Sequence, residues 1–216
     1  YGDHRELHSF PTRRSSDLLF LQGVYELSHL HYSVSAGNPF VMRRSKTDNV
    51  LTQLNARTPV IAVLSELGNG KTTFLQTLQF ELVAHEYRVF WINETGDVAE
   101  RELSQLAAQE GKKVFILEGY PDRLGLVETF SLHSHPDATL IVTARTSVHD
   151  LFMEALRDRS HEKVIAEVRL DVLDDRELKW FSELFTCFGM WGERAGLSAS
   201  AKHRFMHTEC AAQLHG

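Results

Sequence analysis

Nine consecutive residues carry the sharpest chemistry in this chain: Ser65-Glu66-Leu67-Gly68-Asn69-Gly70-Lys71-Thr72-Thr73. They meet the phosphate-loop pattern G-x-x-x-x-G-K-[ST], except that Ser65 stands where the first glycine would be. Glycines let backbone N–H groups turn inward around phosphate oxygens, and the helix that follows offers its positive N-terminus. Lys71 is then the cation for the β- and γ-phosphates, and the Thr72 hydroxyl completes a Mg²⁺ shell. Ser65, Glu66, Gly68, Asn69, Gly70 and Thr73 supply the rest of the cradle. A serine fits the first position if its backbone keeps a negative φ.

A second group of candidates follows. Val114-Phe115-Ile116-Leu117-Glu118 is an apolar run ending in an acid, as in a Walker B motif, whose acid holds the Mg²⁺ shell through water. Ligands of open α/β sheets bind at that end of the strands. Aspartate is the usual acid, and Glu118 is one methylene longer. Asp122, four residues on, is a candidate general base for an attacking water. In Leu140-Ile-Val-Thr-Ala-Arg145-Thr-Ser147, Arg145 is a candidate γ-phosphate contact, because a planar guanidinium suits phosphate oxygens. That role requires the fourth strand to lie between the first and third. The plainer alternatives are a strand-end acid at Glu118, a turn former after Pro121 at Asp122, and a solvated helix-entry residue at Arg145.

These groups need a scaffold, and the apolar pattern supplies one. Pro59–Leu64 is a continuous apolar run, as expected of a strand buried on both faces. Further strands are expected at Tyr87–Asn93, Val114–Leu117, Leu140–Val142 and Val164–Leu170. Helices are expected at 47–57, with Thr47 or Asp48 near the cap and Val50, Leu51 and Leu54 inward, then at Lys71–His85, Ala99–Glu110, Leu124–Leu132 and Ser147–Leu156. Five strands alternating with helices predict an α/β fold, a mainly parallel sheet with helices on both faces. Beyond Asp171 the strands stop. Asp174–Phe188 carries Leu178, Phe181, Leu184, Phe185 and Phe188 as one stripe, and a further helix begins near Ser198. The tail reads as the start of a helical domain, its stripe awaiting a partner beyond the fragment.

Together, the strand–loop–helix unit, the acid-terminated third strand and Thr143-Ala-Arg-Thr-Ser147 resemble the STAND class of P-loop NTPases, relatives of NACHT and AAA+ proteins. The likeness runs from about Phe40 to Leu170. Leu173-Asp-Asp-Arg-Glu177 and Phe188-Gly-Met-Trp191 are similar to the junction before the helical arm of many bacterial members. The resemblance implies a three-layer sandwich with sheet order 5-1-4-3-2 and ATP preferred over GTP. It also implies a slowly hydrolysing switch in which nucleotide state controls self-oligomerisation and contact with neighbouring domains, often in bacterial signalling or phage defence. Phe40–Arg44 sits where relatives contact adenine. Two alternatives are a non-hydrolysing nucleotide-binding interaction module, suggested by Ser65 and Glu118, and a DNA-linked AAA+ ATPase.

Residues 1–18 resemble, at every position except Glu6, the translation of a sequencing-library adapter, and they stand outside the fold reasoning. The expected organisation is a flanking segment at 19–58, the NTPase core at 59–170 and a truncated helical domain at 171–216. The formal net charge of −6 argues against a nucleic-acid partner, since phosphate neutralisation needs clustered cations. No apolar run reaches the roughly 18–20 residues that span a bilayer. Cys187 and Cys210 are too few for a disulfide scaffold and fit a reducing, cytoplasmic setting. Cys187 reads as core and Trp91 and Trp180 as packing. His29/His31, His133/His135 and His203/His207 with Cys210 lack a fourth ligand at zinc-motif spacing and read as ordinary histidines.

Overall fold

A computed structural model describes residues 41–170 and 173–210, together with Ser28. The described residues from 44 to 170 form one compact unit, and those from 173 to 210 belong to a second. In the first, helix α1 (Lys46–Asn55) precedes strand β1 (Val60–Leu64). Then come α2 (Lys71–Ala84), β2 (Arg88–Trp91), α3 (Asp97–Ala108) and β3 (Lys113–Leu117). A 3-10 turn (Tyr120–Arg123), α4 (Leu124–His133), β4 (Ala138–Ala144), α5 (Thr146–Arg159) and β5 (Ile165–Arg169) complete it.

The five strands pair in the order β2-β3-β4-β1-β5, every pair parallel. This is the expected order, read from the other edge, and it puts β4 between β1 and β3. The three inner strands are buried throughout. Alternate side chains of a strand point to opposite faces, so each inner strand feeds two cores. Val60, Ala62, Leu64, Phe115, Leu117, Leu140 and Val142 pack with Leu103 of α3, Phe130 of α4 and Leu156 of α5. Ile61, Val63, Val114, Ile116 and Ile141 pack on the other face with Leu54 of α1 and Phe74, Leu78 and Leu82 of α2. Two helical layers thus enclose one sheet, the three-layer α/β sandwich of P-loop NTPases.

Several boundaries move for local reasons. Helix α1 starts at Lys46 behind Ser45, which makes no side-chain cap; Thr47 is buried rather than capping, and Leu51 is half-buried. It ends at Asn55, and Arg57 takes φ 56°, a left-handed conformation that stops a helix. Helix α3 opens two residues early, at Asp97, behind Gly96 at φ 97°. Strand β4 extends to Ala138 and Ala144 on both sides of its apolar centre.

The sequence held no sign of what Lys113 does. This first residue of β3 is fully buried, and its Nζ donates to the carbonyls of Leu106 (2.8 Å) and Gln109. A lysine so placed satisfies carbonyls left open at the end of α3 and complements that end of the helix dipole. Burial and the Arg88 charge lower its pKa, with Asp137 opposing them.

In the second unit, α6 (Asp175–Cys187) opens with a capping box: Asp174 accepts from the Glu177 N–H (2.8 Å), and Glu177 accepts from the Asp174 N–H (3.0 Å). Such a cap stabilises a helix by about 0.5–2 kcal/mol. A 3-10 turn (Gly192–Gly196), α7 (Ala199–Phe205) and a π turn (Met206–Cys210) follow. Part of the apolar stripe of α6 is covered within this unit. Leu178 is buried with Trp191 and Met206, and Phe181, Phe185 and Phe205 pack around them. Phe185 meets Trp191 edge-on at 5.7 Å. Cys187 is exposed, not core. It lies nine residues after Leu178, about half a turn away on a 3.6-residue helix, and so falls beyond the edge of the stripe.

Candidate functional site

The loop between β1 and α2 is built by its backbone. Gly68 and Gly70 take φ 87° and 74°, and a Cβ on either would meet nothing within 4 Å. The requirement for glycine there is conformational rather than a matter of space. Ser65 is fully buried and is not among the described non-glycine residues with positive φ, so the condition for its tolerance is met. Lys71 folds back over the loop, and its Nζ donates to the Ser65 carbonyl (2.8 Å), Ser65 Oγ (3.0 Å) and the Glu66 carbonyl (3.0 Å). Helix α2 has no side-chain N-cap and no acid in its first turn, and a helix N-terminus of that kind suits an anion.

Glu118 follows β3, and Thr72 Oγ1 donates to Glu118 Oε1 at 2.7 Å. These side chains, 46 residues apart, meet in one hydrogen bond, so the longer glutamate does not carry its carboxylate away from the loop. A hydroxyl and a carboxylate side by side are hard oxygen donors, a set that fits Mg²⁺.

The model of the Novel STAND NTPase 5 family matches residues 34–151, more than half of the chain. The chain belongs to that family.

This STAND chain is therefore a nucleotide-binding NTPase domain. No curated protein matches it. Among solved structures it is similar to a Walker-type ATPase of Pyrococcus abyssi, with 12% identity over 77% of this chain and 63% of that one, TM-score 0.49. It is similar also to the Aeropyrum pernix ORC1 protein in complex with DNA (13%, 83% of this chain and 55% of that one, TM-score 0.49). A third is the Aeropyrum pernix ORC2 protein in ADPNP–ADP complexes (15%, 68% and 52%, TM-score 0.46). The chain thus spans less than two thirds of the length of each.

Two other sequence candidates of this STAND domain lie beyond the C-terminal ends of β3 and β4. Asp122 is exposed in the 3-10 turn, two residues after Tyr120. Arg145 is exposed at the N-cap of α5. Among the described residues no side-chain hydrogen bond or ion pair joins either to Thr72 or Glu118. Glu66 is exposed and Asn69 buried. The residues 1–18, His29, His31 and Phe40 lie outside the described residues, as does the Cys210 side chain. His207 Nε2 sits 2.9 Å from Asp175 Oδ1, and His135 Nδ1 3.6 Å from Asp137. Among the described residues no group of three or more His, Cys, Asp or Glu could hold a metal. No helix described is long and apolar enough to cross a membrane.

The sequence reading missed several supporting residues. Arg44 is buried, and its guanidinium donates to the carbonyls of Leu170 (3.2 Å) and Asn69 (3.5 Å), tying the loop to the end of β5. Thr143, buried near the end of β4, accepts from the Gly119 N–H at 3.1 Å. A threonine just after the apolar centre of β4 was a visible signal. Tyr120 and His149 are both buried, and the tyrosine hydroxyl lies 2.8 Å from His149 Nδ1. Burial, then Glu167 and Asp150, push the Tyr120 pKa up to about 12, so the hydroxyl stays protonated. Burial works to raise the pKa of Glu167, but Arg169 with His149 outweighs it and holds the carboxyl below its ordinary value.

Proposed function

We propose that this domain binds Mg-ATP at the Ser65–Thr73 loop and hydrolyses it slowly, as the switch of a longer cytoplasmic signalling or defence protein. The observation that carries the reading is the 2.7 Å Thr72–Glu118 contact beside a lysine folded into a glycine-shaped loop. Lys71 turns from the loop carbonyls to the β- and γ-phosphates. Backbone N–H groups from Ser65 to Thr73, including those of Glu66, Gly68, Asn69 and Gly70, receive phosphate oxygens. Thr72 and Glu118 would hold Mg²⁺, which when bound neutralises phosphate charge. Asp122 takes the proton of the attacking water, and Arg145 contacts the γ-phosphate. The helices from Leu173 are read as the start of a helical domain that, with nucleotide state, governs self-association and contacts with neighbouring domains. A net charge of −6 gives no reason to expect DNA to stimulate hydrolysis.

Glu118→Gln keeps the size of the side chain and removes its charge. It should leave Mg-ATP affinity within a few-fold and lower single-turnover phosphate release by about 100-fold, the scale of losing one positioned charged group. Ser65 and Glu118 also favour a second reading, a module that binds but does not hydrolyse. Phosphate release by the unaltered chain no faster than by Glu118→Gln would establish that reading instead.

A further inference from the structure

The turn that carries Asp122 is pinned to the segment that carries Arg145 through buried groups. Gly119, at φ 67°, turns the chain after Glu118 and donates its N–H to Thr143. Tyr120 then reaches into the interior to His149, their rings edge-on at 5.9 Å. Arg123, at the other end of the same turn, donates to the Ile92 carbonyl at 3.0 Å. His149 lies one helical turn after Arg145, and its N–H donates to the Arg145 carbonyl at 2.8 Å. On its far side, Nε2 faces Glu167 Oε1 of β5 at 3.6 Å, and Arg169 Nη2 binds the other oxygen of that carboxylate at 2.9 Å.

We propose that Tyr120 and His149 are positioning residues, a buried strut that sets Asp122 and Arg145 at the spacing a γ-phosphate requires. The inference rests on the reading of the loop as an ATP site. The Glu167 carboxylate opposite Nε2 favours the proton on that nitrogen, which leaves Nδ1 to accept from the tyrosine hydroxyl. The strut thus runs from imidazole to phenol, with the Glu167 carboxylate facing Nε2 beyond hydrogen-bond reach and each ring locked by burial. Asp122 and Arg145 sit on exposed positions and make no side-chain hydrogen bond or ion pair of their own among the described residues, so their placement is inherited from the backbone segments that the strut joins. A polar pair buried this deeply is costly unless both partners are satisfied, and a phenylalanine–leucine pair would fill the same space without that cost. A pair that fixes two segments in one register gives the polar choice a purpose.

The test separates ATP from ADP, because only ATP presents the phosphate that Asp122 and Arg145 address. The affinities of the 216-residue chain for Mg-ADP and for a non-hydrolysable Mg-ATP analogue are measured by calorimetry. The variants are Tyr120→Phe, His149→Asn, the double variant and Glu167→Gln, each checked by thermal melting. Each single variant of the pair should lose affinity for the ATP analogue on the order of tenfold, with ADP affinity unchanged. The double variant should lose no more than either single one. Glu167, partly exposed on β5, offers a variant that spares the core, and its loss should run in the same direction. Equal losses for both nucleotides, or an unchanged ratio in whichever variants fold, would overturn the strut. Failure of the unaltered folded chain to bind either nucleotide would instead overturn the ATP-site reading, and the strut with it.

Discussion

Replacing Lys71 by alanine is expected to abolish measurable nucleotide binding while leaving the melting temperature nearly unchanged. Charge-assisted hydrogen bonds contribute about 1.5–3 kcal/mol each. Two of them, to β- and γ-phosphate oxygens, correspond to a loss of about 100-fold or more at 1.4 kcal/mol per tenfold. The fold does not need the ammonium. Three of its acceptors are loop oxygens at Ser65 and Glu66, and Lys71 is only partly buried, so water can take its place there. Arginine should rescue poorly, because a planar fork cannot occupy the point position of an ammonium between two carbonyls. Calorimetric titration with Mg-ATP and Mg-ADP reads the effect directly. Affinity unchanged in Lys71→Ala would remove the loop from the nucleotide site.

The largest loss of stability is expected from Phe115→Ala. Phe115 lies on the central part of the sheet, 1% exposed, stacked on Phe90 at 5.1 Å and edge-on to Phe130 at 5.6 Å. Truncating a buried phenylalanine costs about 3–5 kcal/mol, because the cavity does not fully collapse. The layer above it is made of α3 and α4, whose Leu103, Ala107, Leu126 and Val127 belong to the same cluster and resist inward movement. Against a typical total of about 5–15 kcal/mol, the variant should stand at the edge of folding. Urea unfolding should show the midpoint falling sharply. A loss below about 1 kcal/mol would mean that Phe115 is not at the centre of this core.

Much of this architecture could be read from residue types, and the exceptions have physical causes. The strand at 60–64 was legible because a strand buried on both faces has no reason to alternate. Strand β4 was only half legible: Ala138, Thr139, Thr143 and Ala144 are weakly apolar, and they are buried because β1 and β3 flank them on both sides. The strand order came from the resemblance and not from periodicity, which says nothing about neighbours. Thr72 and Glu118 were legible because each belongs to a short motif whose chemistry fixes its neighbours. Tyr120 and His149 were not, being 29 residues apart with no pattern linking them. Arg44 reaches a carbonyl 126 residues away, and no local reading of a basic cluster anticipates that. Cys187 is exposed although it neighbours Phe188 on a helix rich in apolar residues, because residue type alone does not place it outside the stripe.

The buried lysine at the start of β3 also makes this domain a clock for its own opening. An amine-reactive reagent can acylate surface lysines such as Lys112 as fast as it meets them. Lys113, next in sequence, has its nitrogen enclosed and bound to two carbonyls of the α3 terminus. Its acylation must wait for the β3–α3 corner to separate, a local opening rather than a surface encounter. The two adjacent amines then report, in one peptide and one mass spectrum, reagent supply and corner opening. Saturating nucleotide should slow the second and leave the first untouched, by as much as ligand binding stabilises the closed form.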